Sequence, residues 1–294
     1  MGDSADILVI DDEQVVLDAV AKVCGAQGLQ IDIAQDALQG LRNIEKKQYR
    51  LIICDIRMPD VDGFQVLETA LKRDALVPVI MTTGYATIEH AVRSLGSGAV
   101  GYLPKPFTEH ELLSALHRGL RYATLSPRDR VPRLGSGIPA VGKPEGKRRL
   151  YLLGIISWVR TEEAGTALVG VVDVFLRTMN GVSAIQLSQG EEEIVQGTPC
   201  ARLTAGEGLV HEVLGPVSGR VLEVNEQLGH GPGLLLDDPY GEGWFYRIVP
   251  KNLSYETMQL QCVPLEAPDE PKAQQPRRPA PGPDRRPFDG EPRE

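Results

Sequence analysis

In the first 105 residues of this chain a small set of polar side chains stands where short apolar runs end. Asp11, Asp12 and Glu13 follow Ile7–Ile10, Asp55 follows Leu51–Cys54, Thr82 and Thr83 follow Val77–Met81, and Lys105 follows Ala99–Leu103. Taken singly, each has a purely structural reading: a helix cap, a strand end or a solvated loop charge. Taken together they describe chemistry. Three carboxylates brought to one place repel one another unless a divalent cation sits among them, and a ligand set made only of oxygen suits Mg²⁺. A lysine and a hydroxyl at the same place supply positive charge and a hydrogen bond to a phosphoryl group. The set is suited to moving phosphate onto a carboxylate.

Such residues converge only if the elements that carry them are arranged correctly. The apolar runs alternate with segments of helical period, such as Val16, Val20 and Val23, or Ile88, Val92 and Leu95, each at i, i+4, i+7. Five strand and helix pairs over residues 1–125 predict a doubly wound α/β domain, in which the carboxyl ends of the parallel strands meet at one sheet edge. Residues 126–147 are rich in Pro, Gly and basic residues without apolar periodicity and read as a flexible linker. Residues 148–256 change to short runs bounded by Gly, Pro and Asn, among them Leu168–Val172, Ala184–Leu187, Arg220–Val224 and Trp244–Val249, which predicts a β-rich domain. Residues 265–294 hold eight of the 22 prolines among charged residues, the composition of a disordered tail.

Composition narrows the function classes. The chain has 294 residues, room for about two domains, and a 42% hydrophobic share that can fill two cores. A net charge of −9 has the wrong sign for a surface that grips a phosphate backbone, and a 5% aromatic share is too small for a base-stacking platform, so nucleic acid is disfavoured as a partner. Cys24, Cys54, Cys200 and Cys262 lie far apart, which argues against a disulfide framework or zinc. The start of the chain lacks the pattern of a secretory signal, and no apolar run approaches the ~18 residues of a membrane span, so a cytoplasmic location without membrane partners is expected.

The strings ILVIDDE (7–13), LIICDIRMPDVDGF (51–64), PVIMTTGYAT (78–87) and YLPKPF (102–107) resemble the receiver domains of bacterial two-component response regulators. The resemblance runs through the whole first domain and implies five parallel strands in the order 2-1-3-4-5. It implies that Asp55 is the phosphoacceptor, that Asp11 and Asp12 hold Mg²⁺ with Asp55 and the Arg57 carbonyl, and that Thr83 is the switch hydroxyl. Lys105 then binds a phosphoryl oxygen, the peptide before Pro106 is cis, and Tyr102 follows Thr83 inward on phosphorylation. The implied donor is a sensor histidine kinase or phosphotransfer protein. Receivers of this kind also form homodimers on phosphorylation through their fourth and fifth helices, an option these residues leave open. Ile88, Val92 and Leu95 anchor helix four in this reading, and Glu89 and Arg93 face outward for a partner.

The second domain shows neither a basic recognition helix nor a phosphate-binding Gly-x-x-x-x-Gly-Lys loop. Its strings SWVRTEEAGTALVGVVDVF (157–175), GPVSGRVLEVNEQL (215–228) and DDPYGEGWFYRI (237–248) resemble the H-protein of the glycine cleavage system, a β-rich hybrid barrel related to lipoyl carriers. That family attaches lipoate to one lysine at a hairpin tip. Counting back from Pro216–Gly219 puts this position on Gly208, and no lysine stands between Lys147 and Lys251. The resemblance therefore implies a carrier fold without lipoate. Cys200 and His211 read as packing residues rather than as a catalytic pair. The expected whole is a response regulator that is not a turnover enzyme and signals through a protein-interaction domain with an unknown protein target. The alternatives are a phosphate shuttle or sink, and a docking or decoy module in glycine or lipoate metabolism.

Overall fold

The computed structural model describes residues 5–133, 149–162, 165–187 and 193–264. The expected tail at 265–294 and most of the expected linker lie outside these residues. In the first half, strands β1 (Ile7–Ile10), β2 (Ile31–Ala34), β3 (Leu51–Asp55), β4 (Val79–Thr83) and β5 (Gly101–Pro104) alternate with helices α1 (Gln14–Ala26), α2 (Ala37–Lys46), α3 (Gly63–Arg73), α4 (Ile88–Gly96) and α5 (Glu109–Thr124). The sheet is wholly parallel in the order β2-β1-β3-β4-β5, as expected. Its central strands are apolar on both faces because helices cover both, and two separate core clusters fill the two sides. Side-chain caps fix the helix starts: Asp36, Asp62, Thr87 and Thr108 each accept from a backbone amide of the first turn, and Thr108 and Glu111 close a capping box.

The second half is β-rich, as expected. It contains β6 (Arg149–Leu153), β7 (Ser157–Thr161), β8 (Ala167–Val171), β9 (Ala184–Leu187), β10 (Glu193–Ile194), β11 (Pro199–Thr204), β12 (Val210–Leu214), β13 (Gly219–Val224), β14 (Tyr246–Pro250) and β15 (Gln261–Pro264), with short helices α6 (Asp173–Arg177), α7 (Gly233–Asp237) and α8 (Leu253–Glu256). A seven-stranded sheet runs β10-β13-β14-β8-β7-β6-β15, and a three-stranded sheet runs β12-β11-β9. Two expected boundaries move. The domain does not stop at 256, because β15 pairs antiparallel with β6 and completes the large sheet. The linker does not begin as free chain at 126 either: Arg130 donates to the carbonyls of Leu125 and Ala123, while Arg177 donates to the carbonyl of Asp129. The Arg133 amide donates to Asp173. Arginines at 130 and 177 thus tie residues 126–133 to both halves.

The apolar stripe of α4 differs from its expected use. Val92 and Leu95 belong to the core cluster of the second domain, with Leu153, Ile156, Phe175 and Leu260, rather than to the core of their own sheet. Backbones approach closely enough there that a Cβ on Gly154 would stand 2.9 Å from the Leu95 carbonyl oxygen, and one on Gly96 would stand 2.8 Å from that of Gln259. Arg93, expected to face a partner, lies with its guanidinium 3.7 Å from the centre of the Phe64 ring. The α4–α5 face, which would serve a homodimer, is covered in this arrangement by the second domain.

Candidate functional site

The sheet ends bring the expected residues together. Asp55 and Thr83 are the last residues of β3 and β4, one or two residues further along than the apolar runs suggest, and Asp11 follows β1 directly. Lys105 follows β5 through the amide bond that β4 anchors, its N–H donating to the Thr83 carbonyl at 2.8 Å. The Lys105–Pro106 peptide is cis. From there the Lys105 ammonium reaches Asp11 Oδ2 at 2.8 Å, Asp55 Oδ1 at 2.9 Å and Glu13 Oε1 at 2.9 Å. Lys105, Asp11 and Asp55 have almost no exposed side-chain surface, so these charges meet away from bulk water, whereas Glu13 is exposed.

Electrostatics follow from that burial. Loss of solvent raises the Asp11 and Asp55 carboxyls above the ordinary aspartate range, although Lys105 pulls each the other way. Burial would lower Lys105, but its hydrogen bonds to Asp11 and Glu13 and its ion pair with Asp55 outweigh that and hold the ammonium above its ordinary value. The Asp55 oxygens differ in their commitments. Oδ2 accepts from the Arg57 amide at 2.7 Å, while Oδ1, despite its proximity to Lys105, makes no hydrogen bond of good geometry and is buried. Oδ1 is held by the charge of Lys105 at 2.9 Å rather than by a well-directed hydrogen bond, which leaves it the oxygen of Asp55 more open to a reaction partner.

Among the described residues no three His, Cys, Asp or Glu side chains form a ready-made cage for an ion. The donors nevertheless suit Mg²⁺. Asp11, Asp12 at the exposed rim, Asp55 with its unsatisfied Oδ1 and the Arg57 carbonyl are all hard oxygens, and this ion keeps several waters rather than requiring a full protein shell. Thr83 is fully buried, and its Oγ1 accepts from the Tyr85 amide at 3.1 Å. Tyr102 is half-buried, with its hydroxyl enclosed beside the Thr87 backbone but without a hydrogen bond of good geometry.

Two features of this site escaped sequence reasoning. Glu13 supplies the third carboxylate to Lys105, a role its exposed position in the string Asp11-Asp12-Glu13 does not distinguish from a helix-start charge. The Arg57 guanidinium lies 5.0 Å from the centre of the Tyr85 ring, linking the loops after β3 and β4 at the sheet edge beside Asp55. No periodicity announces such a stacking pair.

In the second domain, Gly208 occupies the turn between β11 and β12, at a φ of +86° with nothing within 4 Å of where a Cβ would stand. The position to which counting assigned it is therefore a hairpin tip. Cys200 and His211 are both buried, and neither stands as a catalytic pair: Cys200 is a buried thiol whose backbone carbonyl accepts from the Tyr246 hydroxyl, and His211 lies edge-on to Phe175. The large buried polar groups are satisfied locally. The Trp158 indole donates to the carbonyls of Val171 and Pro239, and the Tyr240 hydroxyl donates to Asp173, which also pairs with Arg177.

Comparison with known proteins agrees with this division. The family model of the response regulator receiver domain matches residues 7–117, and that of the glycine cleavage H-protein matches residues 150–263. The transcriptional regulatory protein ZraR of Klebsiella oxytoca is 33% identical over 125 residues, 42% of this chain and 28% of that protein. The response regulator protein TodT of Pseudomonas putida is 30% identical over 135 residues, 46% of this chain and 59% of that protein. This chain thus spans between 28% and 59% of the length of these relatives. Among solved structures, a CheY-like response regulator receiver domain protein from Methanospirillum hungatei JF-1 is 35% identical, with 41% of this chain and 96% of that chain covered and a TM-score of 0.39. The receiver domain of NtrX from Brucella abortus is 34% identical, with 39% and 98% covered and a TM-score of 0.38. No helix among the described residues is long and apolar enough to cross a membrane. Residues 7–117 thus match the response regulator receiver domain, and residues 150–263 match the glycine cleavage H-protein.

Proposed function

We propose that the chain is a two-component response regulator that takes a phosphoryl group from a sensor histidine kinase or phosphotransfer protein onto Asp55. The observation that carries this reading is the buried Asp11–Lys105–Asp55 constellation, in which Asp55 Oδ1 faces the Lys105 ammonium at 2.9 Å at the sheet edge while Oδ2 is held by the Arg57 amide. In the proposed step Asp55 Oδ1 attacks phosphorus in line, the bond to the donor imidazole breaks, and the imidazole nitrogen keeps the electron pair. Lys105 is placed to hold one equatorial oxygen, and Thr83, by leaving the Tyr85 amide, can donate its hydroxyl to another. Mg²⁺ bound by Asp11, Asp12, Asp55 and the Arg57 carbonyl would supply charge neutralisation at those oxygens. Water later hydrolyses the acyl phosphate, so the chain acts on itself and is not a turnover enzyme.

The second domain, in this reading, is a lipoate-free interaction module. Its family attaches lipoate through a lysine, and here Gly208 stands at the tip in a stretch with no lysine from 148 to 250. Because Val92 and Leu95 of α4 lie in its core, a change at the start of α4 after phosphorylation bears directly on it, and its unknown protein target reads the result. Incubation of the full chain with acetyl phosphate and Mg²⁺, followed by intact mass measurement, tests the first claim. One phosphoryl adduct that hydroxylamine removes is expected, and an unmodified Asp55 overturns the reading. A docking or decoy role in glycine or lipoate metabolism draws on the match over 150–263 and predicts a complex with glycine decarboxylase or lipoate ligase.

A further inference from the structure

The receiver meets the second domain along one face of α5, and that face has an unusual composition. His110, Ser114, His117 and Arg118 follow one another at spacings of four, three and one along the helix, opposite the β11–β12 hairpin and α6. His110 Nε2 accepts from the Val210 amide at 3.4 Å, the first residue of β12. Arg118 is buried, donates to the Val100 carbonyl, and lies 5.0 Å from the centre of the Phe175 ring of α6. Among the described residues no carboxylate pairs with it. The next residue of β12, His211, is 3% exposed and meets the same Phe175 ring edge-on. Two buried polar atoms at this face have no partner: Ser114 Oγ and His211 Nε2.

Permanent cores rarely keep such groups unpaired, because water would satisfy them at no cost once the surfaces part. We infer that the α5–β12 contact is a proton-sensitive latch, closed while the His211 imidazole is neutral and released when it takes a second proton. A protonated His211 would place a new charge beside Arg118 in a site shielded from water, with both ring nitrogens demanding acceptors. The surroundings offer no compensation. The charged groups of α5 that act on it are Arg118, His117 and His110, all of them basic. Among the neighbouring carboxylates, Glu212 of β12 pairs with Arg202 of β11, Asp173 of α6 pairs with Arg177, Glu111 of α5 closes the cap at Thr108, and Glu207 lies exposed at the hairpin tip.

Burial, followed by the field of Arg118, lowers the His211 pKa from 6.5 to about 3 in the closed arrangement. The sign follows from linkage. A group held below its free pKa favours the closed form above pH 6.5, and that advantage falls as pH drops from 6.5 toward 3. Between pH 7.5 and 5.0 the ratio of closed to open chains should fall about thirtyfold. Nothing here depends on Asp55 being phosphorylated.

A thiol placed inside the contact measures that ratio. In the full chain carrying Ser114→Cys, the rate of reaction with a dipyridyl disulfide is compared with that of the exposed Cys262 in the same sample, which removes the pH dependence of thiol chemistry. The relative rate at position 114 should rise about thirtyfold from pH 7.5 to 5.0, and by less than twofold when His211→Leu removes the proton site. Arg118→Met, which removes the neighbouring charge, should give an intermediate rise. A rise below threefold in the chain that keeps His211, or an equal rise with His211→Leu, overturns the latch. So does a His211 imidazole, assigned by its loss in His211→Leu, that titrates near 6.5 in the unsubstituted chain by nuclear magnetic resonance.

Discussion

The first and second halves of this chain bury polar groups for opposite ends. At the receiver edge, Asp11 and Asp55 share one buried cation, Lys105, and Asp55 Oδ1 faces it without a well-directed hydrogen bond. In the second domain Trp158, Tyr240, Asp173 and Arg177 are also buried or nearly so, yet each hydrogen bond is directed at a neighbour within the fold or at the segment leading into it. The first arrangement concentrates charge at the sheet edge that the proposed phosphoryl transfer would use. These four groups of the second domain fix a shape, and His211 Nε2, at the contact with α5, is the exception there. The difference teaches where reactivity lies in a two-domain chain: in polar groups left short of partners, rather than in burial or charge alone.

The contrast is broken most completely by Asp55→Asn, which should abolish phosphoryl incorporation from acetyl phosphate as read by intact mass, with the fold kept. A phosphorylated Asp55→Asn chain would move the acceptor elsewhere. Next in size, Leu95→Ala removes a buried side chain from the core that α4 shares with the second domain and should lower stability by about 2–5 kcal/mol in chemical denaturation. It should also separate one unfolding transition into two, since the two domains then lose their common contact. Lys105→Met leaves the nucleophile but removes the cation beside it, and should slow phosphorylation about a hundredfold without preventing it. The smallest effect belongs to the hairpin tip. Gly208→Lys forces a side chain into a left-handed turn and should cost about 1 kcal/mol in an otherwise native fold, since nothing crowds the position. Lipoylation of the unsubstituted chain by a lipoate ligase would erase the distinction between the halves.

Much of the receiver was legible because its chemistry sits at strand ends, and strand ends are marked by the switch from apolar runs to Asp, Thr or Lys. Asp11, Asp55, Thr83 and Lys105 are brought to one edge as their spacing implied. Gly208 was placed correctly at a turn by counting from another turn. What could not be read were contacts made between distant segments. Val92 and Leu95 have the period of any helix stripe, and nothing in that period says that the surface they enter lies beyond residue 149. Arg118 and His211 are 93 positions apart and meet only through Phe175, so neither looked unusual in its own element. The short β15 was missed because Gln261–Pro264 carries little apolar signal and owes its place to pairing with β6.

That last strand also has a mechanical meaning. Arg149, where β6 begins, pairs with Pro264, where β15 ends, and β15 lies at the edge of its sheet. Force applied between the incoming and outgoing chain would therefore load these bonds one after another, like opening a zipper, rather than all at once in shear. A partner that draws on the segment after Pro264 would peel an edge away with little resistance while the rest of the sheet, from β6 to β10, stays whole.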